Sequence, residues 1–152
     1  MCGRFDRHRP VADFLQAVDG LIVDGLEPAP PSYNIAPSQP ALVACCSESG
    51  PVVRALHWGL VPAWAKNPKM ARPINARAET VAQKPMFRDA FKVSRCLVLC
   101  DGYYEWQLRP DGSKQPYRLA LEGDTPFVMA GLWARNTRLT AEPLETFCIV
   151  TT

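Results

Sequence analysis

The residues with the most unusual chemistry stand at the start of the chain, Met1-Cys2-Gly3-Arg4. A small residue follows Met1, which favours its removal, and Cys2 would then carry a free α-amine beside its thiol. Such an aminothiol condenses with an aldehyde to a Schiff base, and the thiol then closes a thiazolidine ring. Reference pKa values of roughly 7.7–8.0 for the amine and roughly 8.5 for the thiol leave both nucleophiles partly available near neutrality. Taken alone, Cys2 is also explained as merely the second residue of a chain that begins Met-Cys.

Glu105 is a second candidate because it stands between two aromatic residues, Tyr104 and Trp106. Side chains alternate along an extended strand, so Glu105 is expected to share its face with Tyr103 and Gln107. Burial among such neighbours disfavours the charged form of a carboxylate, which suits a general acid or base. The alternative is a structural partner for an arginine.

Asn75 and Arg77 are two residues apart, so an extended backbone would project both to one side. An amide beside a guanidinium suits a phosphate or an oxygen that gains negative charge. The alternative is a loop held by the Asn side chain with a solvated Arg. Asn34 lies in the proline-bounded segment Tyr33–Pro40, where it is also a candidate turn former.

The two histidines give no clear general base. His57 falls within a strand pattern and is predicted to be a hydrogen-bonded structural residue. His8 lies among charged residues and is predicted to be solvated. The serines lack the histidine and acid pattern of a catalytic triad.

Composition indicates one globular domain, since 152 residues with 47% hydrophobic and 21% charged side chains can bury a core. The 15 Pro and 9 Gly favour short elements over long helices. A net charge of +2 is too small to require a polyanionic partner. The excess of Arg over Lys suits bidentate phosphate contacts, although a GC-rich genome would explain it equally.

The six cysteines do not form a metal-binding or secretory pattern. No apolar signal segment follows the N-terminal arginines, which argues against export and disulfides. Spacings typical of zinc sites are missing, so neither a metal nor another cofactor is expected. Five cysteines lie among apolar neighbours and are predicted to be small buried hydrophobes: Cys45, Cys46, Cys96, Cys100 and Cys148. With no apolar run of membrane-spanning length, the sequence predicts a cytosolic protein.

Two helical stretches and several strands would position these residues. Apolar spacing from Pro10 to Gly20 predicts a helix that buries Phe14, Leu15 and Val18, and Thr80–Phe91 has helical character broken by Pro85. Irregular structure is predicted for Gly25–Ser32 and a loop for Tyr33–Pro40. Strands are predicted at Ala41–Cys46, Val52–Trp58, Cys96–Cys100, Tyr103–Gln107, Tyr117–Leu121, Phe127–Leu132 and Phe147–Thr151. The pattern is that of a β-rich α+β domain.

Five segments together resemble, in order, the signature blocks of the SOS response-associated peptidase (SRAP) family. They are Met1–Phe5, Tyr33–Gln39, Trp58–Trp64, Ile74–Thr80 and Gly102–Trp106. The resemblance runs from Cys2 to Thr152. It implies an α+β, β-rich single domain over residues 1–152, with a bifurcated sheet and small barrel flanked by short helices.

The resemblance also implies a function in DNA repair. Family members act on abasic sites in single-stranded DNA, whose open-chain sugar presents an aldehyde. It implies that Cys2, after autocatalytic removal of Met1, forms a covalent thiazolidine DNA–protein crosslink, with lyase activity as a side reaction. Asn75 and Glu105 are the other implied catalytic residues. The implied DNA-binding residues are Arg4, Asn34, Pro40, Arg77 and Trp106.

One family feature has no counterpart in this sequence. The family uses a histidine beyond the strand that ends at Thr152, so we expect the chain to be truncated at its C-terminal end. The expected protein is a monomer of the bacterial cytosol and nucleoid whose partner is single-stranded DNA containing abasic sites. The alternatives are a thiol peptidase and a single-stranded DNA-binding module without catalysis.

Overall fold

The computed structural model describes residues 2–22 and 29–152, which fold mainly into short β-strands. In this part of the chain the strands are β1 (Arg4–Arg7), β2 (Ser32–Ile35), β3 (Pro40–Ser47), β4 (Gly50–Trp58), β5 (Asn75–Arg77), β6 (Arg95–Cys100), β7 (Gly102–Leu108), β8 (Lys114–Leu119), β9 (Phe127–Asn136) and β10 (Leu144–Thr151). The helical elements are α1 (Arg88–Val93) and two 3-10 helices, Val11–Gln16 and Glu122–Asp124.

Five strands close into a small barrel in the order β3-β4-β10-β9-β6 and back to β3. The closing contact is a short parallel pairing of β4 with β10, in which Phe147 lies opposite Trp58. Strand β5 pairs in parallel with the last residues of β10, with Asn75 opposite Ile149. The predicted α+β, β-rich fold with a small barrel is therefore confirmed.

A second sheet, in the order β2-β1-β7-β8, joins the barrel where β6 continues into β7 through Asp101. From β1 the fully buried Phe5 reaches the barrel, where its ring centroid lies 5.1 Å from that of Trp58. Trp58 in turn stacks on Phe147. These three rings anchor the start of the chain in the core, since aromatic side chains contribute the largest apolar areas.

The predicted N-terminal helix is a six-residue 3-10 helix, and one of its predicted core residues is wrong. Phe14 and Val18 are buried against Leu42 and Leu99 of the barrel. Leu15, however, is 46% exposed. A 3-10 helix has about three residues per turn, so the apolar face that an α-helix would present at Leu15 turns toward solvent.

The second helical prediction was too long, because α1 begins only at Arg88. Turns occupy Thr80–Phe87. Pro85 lacks an N–H and disfavours helical geometry in the residue before it, which delays the helix.

The loop predicted over Tyr33–Pro40 was also partly wrong. Its first residues belong to β2, which pairs with β1 and places Ile35 opposite Phe5. A four-residue strand is too short to show alternation clearly, so the flanking prolines dominated the sequence pattern. Of the segment predicted to be irregular, Gly25–Ser32, the first four residues lie outside the described part of the chain.

The remaining strand predictions agree with the structure within a few residues, including the β3–β4 hairpin and the buried strand β6. All six cysteines are free. Four of the five predicted to be buried are so, but Cys46 is exposed, because it lies at the end of β3 beside the turn. No helix in the described ranges is both long and apolar enough to cross a membrane.

Candidate nucleophile site

Cys2 lies just before β1 and is almost completely buried, with 6% of its surface exposed. Its Sγ is 3.5 Å from the backbone oxygen of Arg4. The pKa of the Cys2 thiol is raised to about 11, mainly by burial. The contact with the Arg4 backbone lowers this pKa in part, and the negative charge of Glu105 raises it further. The thiol is therefore protonated at neutral pH.

Asn75 connects Cys2 to the barrel. Its Nδ2 donates a 2.8 Å hydrogen bond to the backbone oxygen of Cys2. Its Oδ1 is buried and has no hydrogen-bond partner among the described residues. A buried acceptor without a partner is costly and calls for an explanation.

The backbone around Asn75 is fixed from two directions. The Trp58 indole Nε1 and the Ile149 backbone N–H each donate a 2.9 Å hydrogen bond to the oxygen of Ile74. Pairing of β5 with β10 leaves the central Ala76 buried. Asn75 and Arg77 therefore both project away from the side that Ala76 occupies, as their spacing predicted.

Glu105 shares a cavity of about 350 Å³ with Cys2. The other lining residues are Tyr103 from β7, Met129 and Ala130 from β9, and residues 149–152 at the end of β10. The sharing of one face by Tyr103 and Glu105 agrees with the alternation expected from the sequence. The cavity thus brings a thiol and a carboxylate together.

Three predicted DNA-binding residues meet in a second cavity of about 380 Å³, lined by Arg4, Tyr33, Asn34, Tyr104, Trp106 and Pro116. Arg4 Nη1 donates a 2.9 Å hydrogen bond to Asn34 Oδ1. Asn34 is therefore a strand residue with a long-range partner and not a turn former. Because Trp106 follows Glu105 on β7, this cavity lies on the opposite face of the strand from the Cys2 cavity.

The other two predicted DNA-binding residues lie apart from that cavity. Arg77 is exposed and forms an ion pair with Glu79 at 3.3 Å. It stands opposite Thr151, which lines the Cys2 cavity. Pro40 is exposed at the first position of β3, opposite His57.

A network of buried charges, which sequence reasoning missed, ties β1 to β7 and β8. Both carboxylates, Asp6 and Asp101, are fully buried. Asp6 pairs with Arg118 and Asp101 with Arg9, at N–O distances of 3.1 and 2.7 Å. The run Asp6-Arg7-His8-Arg9 is the only sequence signal of this network.

Hydrogen bonds determine how Asp101 titrates. Burial alone would raise the pKa of Asp101, but bonds from the backbone N–H and guanidinium of Arg9 and from the backbone N–H of His8 outweigh it. The pKa of Asp101 is therefore below its ordinary value.

The prediction for His8 was wrong, whereas His57 lies in a strand as predicted but is exposed. His8 is not solvated: its Nδ1 lies 2.8 Å from Asp6 Oδ2 and its ring stacks on Tyr33. His57 is exposed near the end of β4, because strand alternation turns it outward beside the buried Trp58. Neither residue lines the cavity that contains Cys2.

Asp6, His8 and Asp101 also form a geometric cluster in which possible metal-ligating atoms lie within 4.8 Å of one another. Arg118 and Arg9 already occupy the two carboxylates. The cluster is therefore explained as an ion-pair network.

Taken together, a closed barrel carrying a second sheet and a buried Cys2 bound by Asn75 define a domain with a candidate N-terminal nucleophile. Over residues 1–152 the chain matches the family model described as SOS response associated peptidase (SRAP). The protein belongs to this family.

Several similar proteins share most of this chain. It is 38% identical to abasic site processing protein YoaM of Bacillus subtilis, an alignment that covers 100% of this chain and 67% of that protein. For abasic site processing protein YedK of Escherichia coli the identity is 30%, with 99% of this chain and 67% of that protein covered. A crystal structure of a phage-related protein from Bordetella bronchiseptica superposes with a TM-score of 0.77 at 27% identity, covering 99% of this chain and 69% of the other.

Proposed function

We propose that this protein senses abasic sites in single-stranded DNA and shields them by forming a covalent crosslink through Cys2. The observation that carries the proposal is the cavity shared by Cys2 and Glu105, with Asn75 bonded to the Cys2 backbone. The names of the relatives YoaM and YedK, both abasic site processing proteins, support the choice of lesion. The proposed setting is the bacterial cytosol, with the protein acting as a monomer.

The reaction begins once Met1 has been removed, which we propose the protein does itself. The amine of Cys2 adds to the sugar aldehyde at C1′, and loss of water gives a Schiff base. The Cys2 thiol then adds to the C=N carbon, and its proton moves to the nitrogen, closing the thiazolidine. The sequence of steps releases one water and involves no oxidation or reduction.

In the chain that still carries Met1, the Cys2 thiol is almost completely buried and its pKa is raised to about 11. We propose that the amine therefore attacks first once Met1 is removed. Glu105 relays protons in both steps, since it lines the same cavity: it passes the protons of the attacking amine to the departing hydroxyl, and it later carries the thiol proton to the nitrogen. A Schiff base that fails to close its ring can instead lose the 3′ phosphate by β-elimination, which accounts for the proposed lyase side reaction.

Asn75 would hold the reacting end of the chain in place through its bond to the Cys2 oxygen. Its buried Oδ1, which lacks a partner among the described residues, is suited to accept a hydrogen bond from the new amine or from a sugar hydroxyl. Arg4, Asn34 and Trp106 in the second cavity, with Pro40 and Arg77 outside it, are the proposed DNA contacts.

The test is an intact-mass measurement after incubation with a single-stranded oligonucleotide that contains one abasic site. Wild type should gain the mass of the oligonucleotide less one water, and Cys2→Ala should gain nothing. Cys46→Ala is the matched control, because it removes an exposed thiol far along β3 and should crosslink normally. Absence of any adduct from a chain whose Met1 is confirmed to be removed would refute the proposal.

The same experiment separates the two alternatives. A thiol peptidase would cleave unrelated peptides in a Cys2-dependent manner, but neither His8 nor His57 lines the Cys2 cavity to serve as its base. A binding module without catalysis would bind DNA equally with and without the lesion, and equally after Cys2→Ala. Lesion-dependent adduct formation would contradict both alternatives.

A further inference from the structure

The β7–β8 hairpin continues the face that bears Glu105 beyond the Cys2 cavity. In this antiparallel pair Glu105 lies directly opposite Tyr117, and Tyr103 directly opposite Leu119. Residues directly opposite each other project to the same face, with Cβ atoms about 4.5–5.5 Å apart. Tyr117 and Leu119 therefore stand beside the cavity wall formed by Tyr103 and Glu105.

These two side chains are much more exposed than Ile149, which lines the cavity. Tyr117 is 50% exposed and Leu119 is 39% exposed. Ile149 is 2% exposed. The hairpin thus presents an aromatic ring and a branched aliphatic side chain to solvent at the rim of the Cys2 cavity.

We propose that Tyr117 is a stacking platform for the nucleobase adjacent to the abasic nucleotide. This inference rests on the proposed function. The abasic nucleotide has no base of its own, so the nearest π-surfaces on the DNA are those of its neighbours. Aromatic side chains stack on the bases of single strands with little dependence on sequence, which suits a lesion that arises in any context.

The spacing supports this assignment. When the lesion sugar occupies the cavity beside Glu105, the next nucleotide is one backbone step away, and that step is about 3.4 Å in a stacked strand. The Cβ separation of about 5 Å between directly opposed strand residues is of the same order. A base next to a sugar in this cavity is therefore within reach of the Tyr117 ring, and Leu119 extends the apolar surface.

Trp106 does not already fill this role. It lies on the other face of β7, where it lines the second cavity with Arg4 and Pro116. Tyr117 projects to the Glu105 face because it is opposite Glu105 in register, whereas Trp106 is opposite Pro116. The two aromatic residues consequently serve different nucleotides.

The experiment measures binding without chemistry, in a Cys2→Ala background. Fluorescence anisotropy compares two single-stranded oligonucleotides that carry a tetrahydrofuran abasic analogue. In one the analogue is flanked by adenines, and in the other by further analogues, so that no neighbouring base exists. Tyr117→Ala should weaken binding of the adenine-flanked strand by about 5- to 150-fold, as expected for loss of one base–aromatic stack. It should leave binding of the base-free strand within about twofold of its parent.

Matched variants isolate the aromatic face. Tyr117→Phe keeps the ring and should bind like the parent, whereas Tyr117→Leu keeps apolar volume and should behave like Tyr117→Ala. Phe91→Ala removes an exposed aromatic residue from α1 and should change neither affinity. Circular dichroism melting checks that each variant is folded, and Tyr117→Leu replaces Tyr117→Ala if the latter is not.

An equal loss of affinity on both strands, or a loss below twofold on the adenine-flanked strand, would overturn the assignment of Tyr117. Its failure is distinguishable from failure of the proposed function. If wild type forms no crosslink, the proposed function fails while the anisotropy comparison still tests Tyr117. If crosslinking occurs but all Tyr117 variants bind alike, only the inference about Tyr117 is wrong.

Discussion

Replacing Gly102 with Ala should break the ion pair between Asp6 and Arg118. A Cβ at Gly102 would lie 2.7 Å from Arg118 Nε, 2.8 Å from Arg118 Cζ and 2.8 Å from Asp6 Oδ1. Carbon atoms do not approach these atoms so closely, so the guanidinium must move. Asp6 is fully buried and would lose its arginine partner when that happens, keeping only the contact with His8 Nδ1.

The size of the effect follows from the burial of the pair. Removing one partner of a fully buried ion pair costs about 3–5 kcal/mol. The Arg118 side chain keeps 32% of its surface exposed, so solvent weakens the ion pair. We therefore expect Gly102→Ala to lower the free energy of unfolding by about 2–3 kcal/mol. For a chain of this length that corresponds to a fall in melting temperature of about 4–12 °C.

A double-mutant cycle with Arg118→Met tests the mechanism. Urea unfolding followed by circular dichroism gives the free energy of unfolding for wild type, both single variants and the double variant. If the new methyl group acts mainly by displacing Arg118, Gly102→Ala should cost much less once Arg118 is gone, because only the close approach to Asp6 Oδ1 remains.

Additive costs of Gly102→Ala and Arg118→Met would refute this reasoning, because independent sites add within about 0.5 kcal/mol. A loss of less than about 0.5 kcal/mol in the free energy of unfolding on Gly102→Ala in the wild-type background would also refute it. The stability measurement should be accompanied by the crosslinking assay. Asp6 and Arg118 join β1 to β8, and we expect the crosslinking rate to fall together with stability.

Three further predictions concern single residues. Asp101→Asn should lower the free energy of unfolding at pH 7 by about 3 kcal/mol. The pKa of Asp101 is lower in the folded protein than in the unfolded chain. Its contribution to stability is therefore present above the unfolded-state pKa and is lost as the pH falls through the folded-state pKa. Urea titrations at several pH values should show that the free energy of unfolding depends less steeply on acid pH in the variant. Trp58→Phe removes the hydrogen bond to the Ile74 oxygen and should lower the free energy of unfolding by about 1–3 kcal/mol. It should also slow crosslinking, measured by mass spectrometry, because Ile74 comes directly before Asn75 in the chain. Maleimide at pH 7 should label Cys46 first, and labelling of Cys2 should rise about tenfold per pH unit up to its pKa of about 11; equal labelling of the two at pH 7 would contradict the burial of Cys2.

Local patterns were sufficient to predict most of the fold. The hairpin of β3 and β4 and the buried strand β6 have clear apolar runs bounded by turn residues, and both agree with the structure. Errors occurred where tertiary contacts outweigh propensity. The short strand β2 exists because β1 pairs with it, and the 3-10 geometry near Leu15 depends on packing against the barrel.

In the candidate site, too, features set by local pattern were predicted and features set by long-range contacts were not. The sharing of a face by Tyr103 and Glu105 followed from strand alternation alone. The bond from Asn75 to Cys2 could not be predicted, because it joins residues 73 positions apart through pairing of β5 with β10. The buried pairing of Asp101 with Arg9 was likewise hidden, since charged residues in a sequence are more often solvated.

The parallel contact of β4 with β10 has a consequence for how the protein folds. It joins Trp58 to Phe147, and β10 also carries β5, so Asn75 cannot be fixed before β10 is in place. Pairings between such distant segments form slowly because the loop between them must first be closed. During synthesis Cys2 emerges from the ribosome long before the strands that bury it. The Cys2 thiol therefore remains accessible, to enzymes or to oxidants, for most of the time that the chain takes to be made.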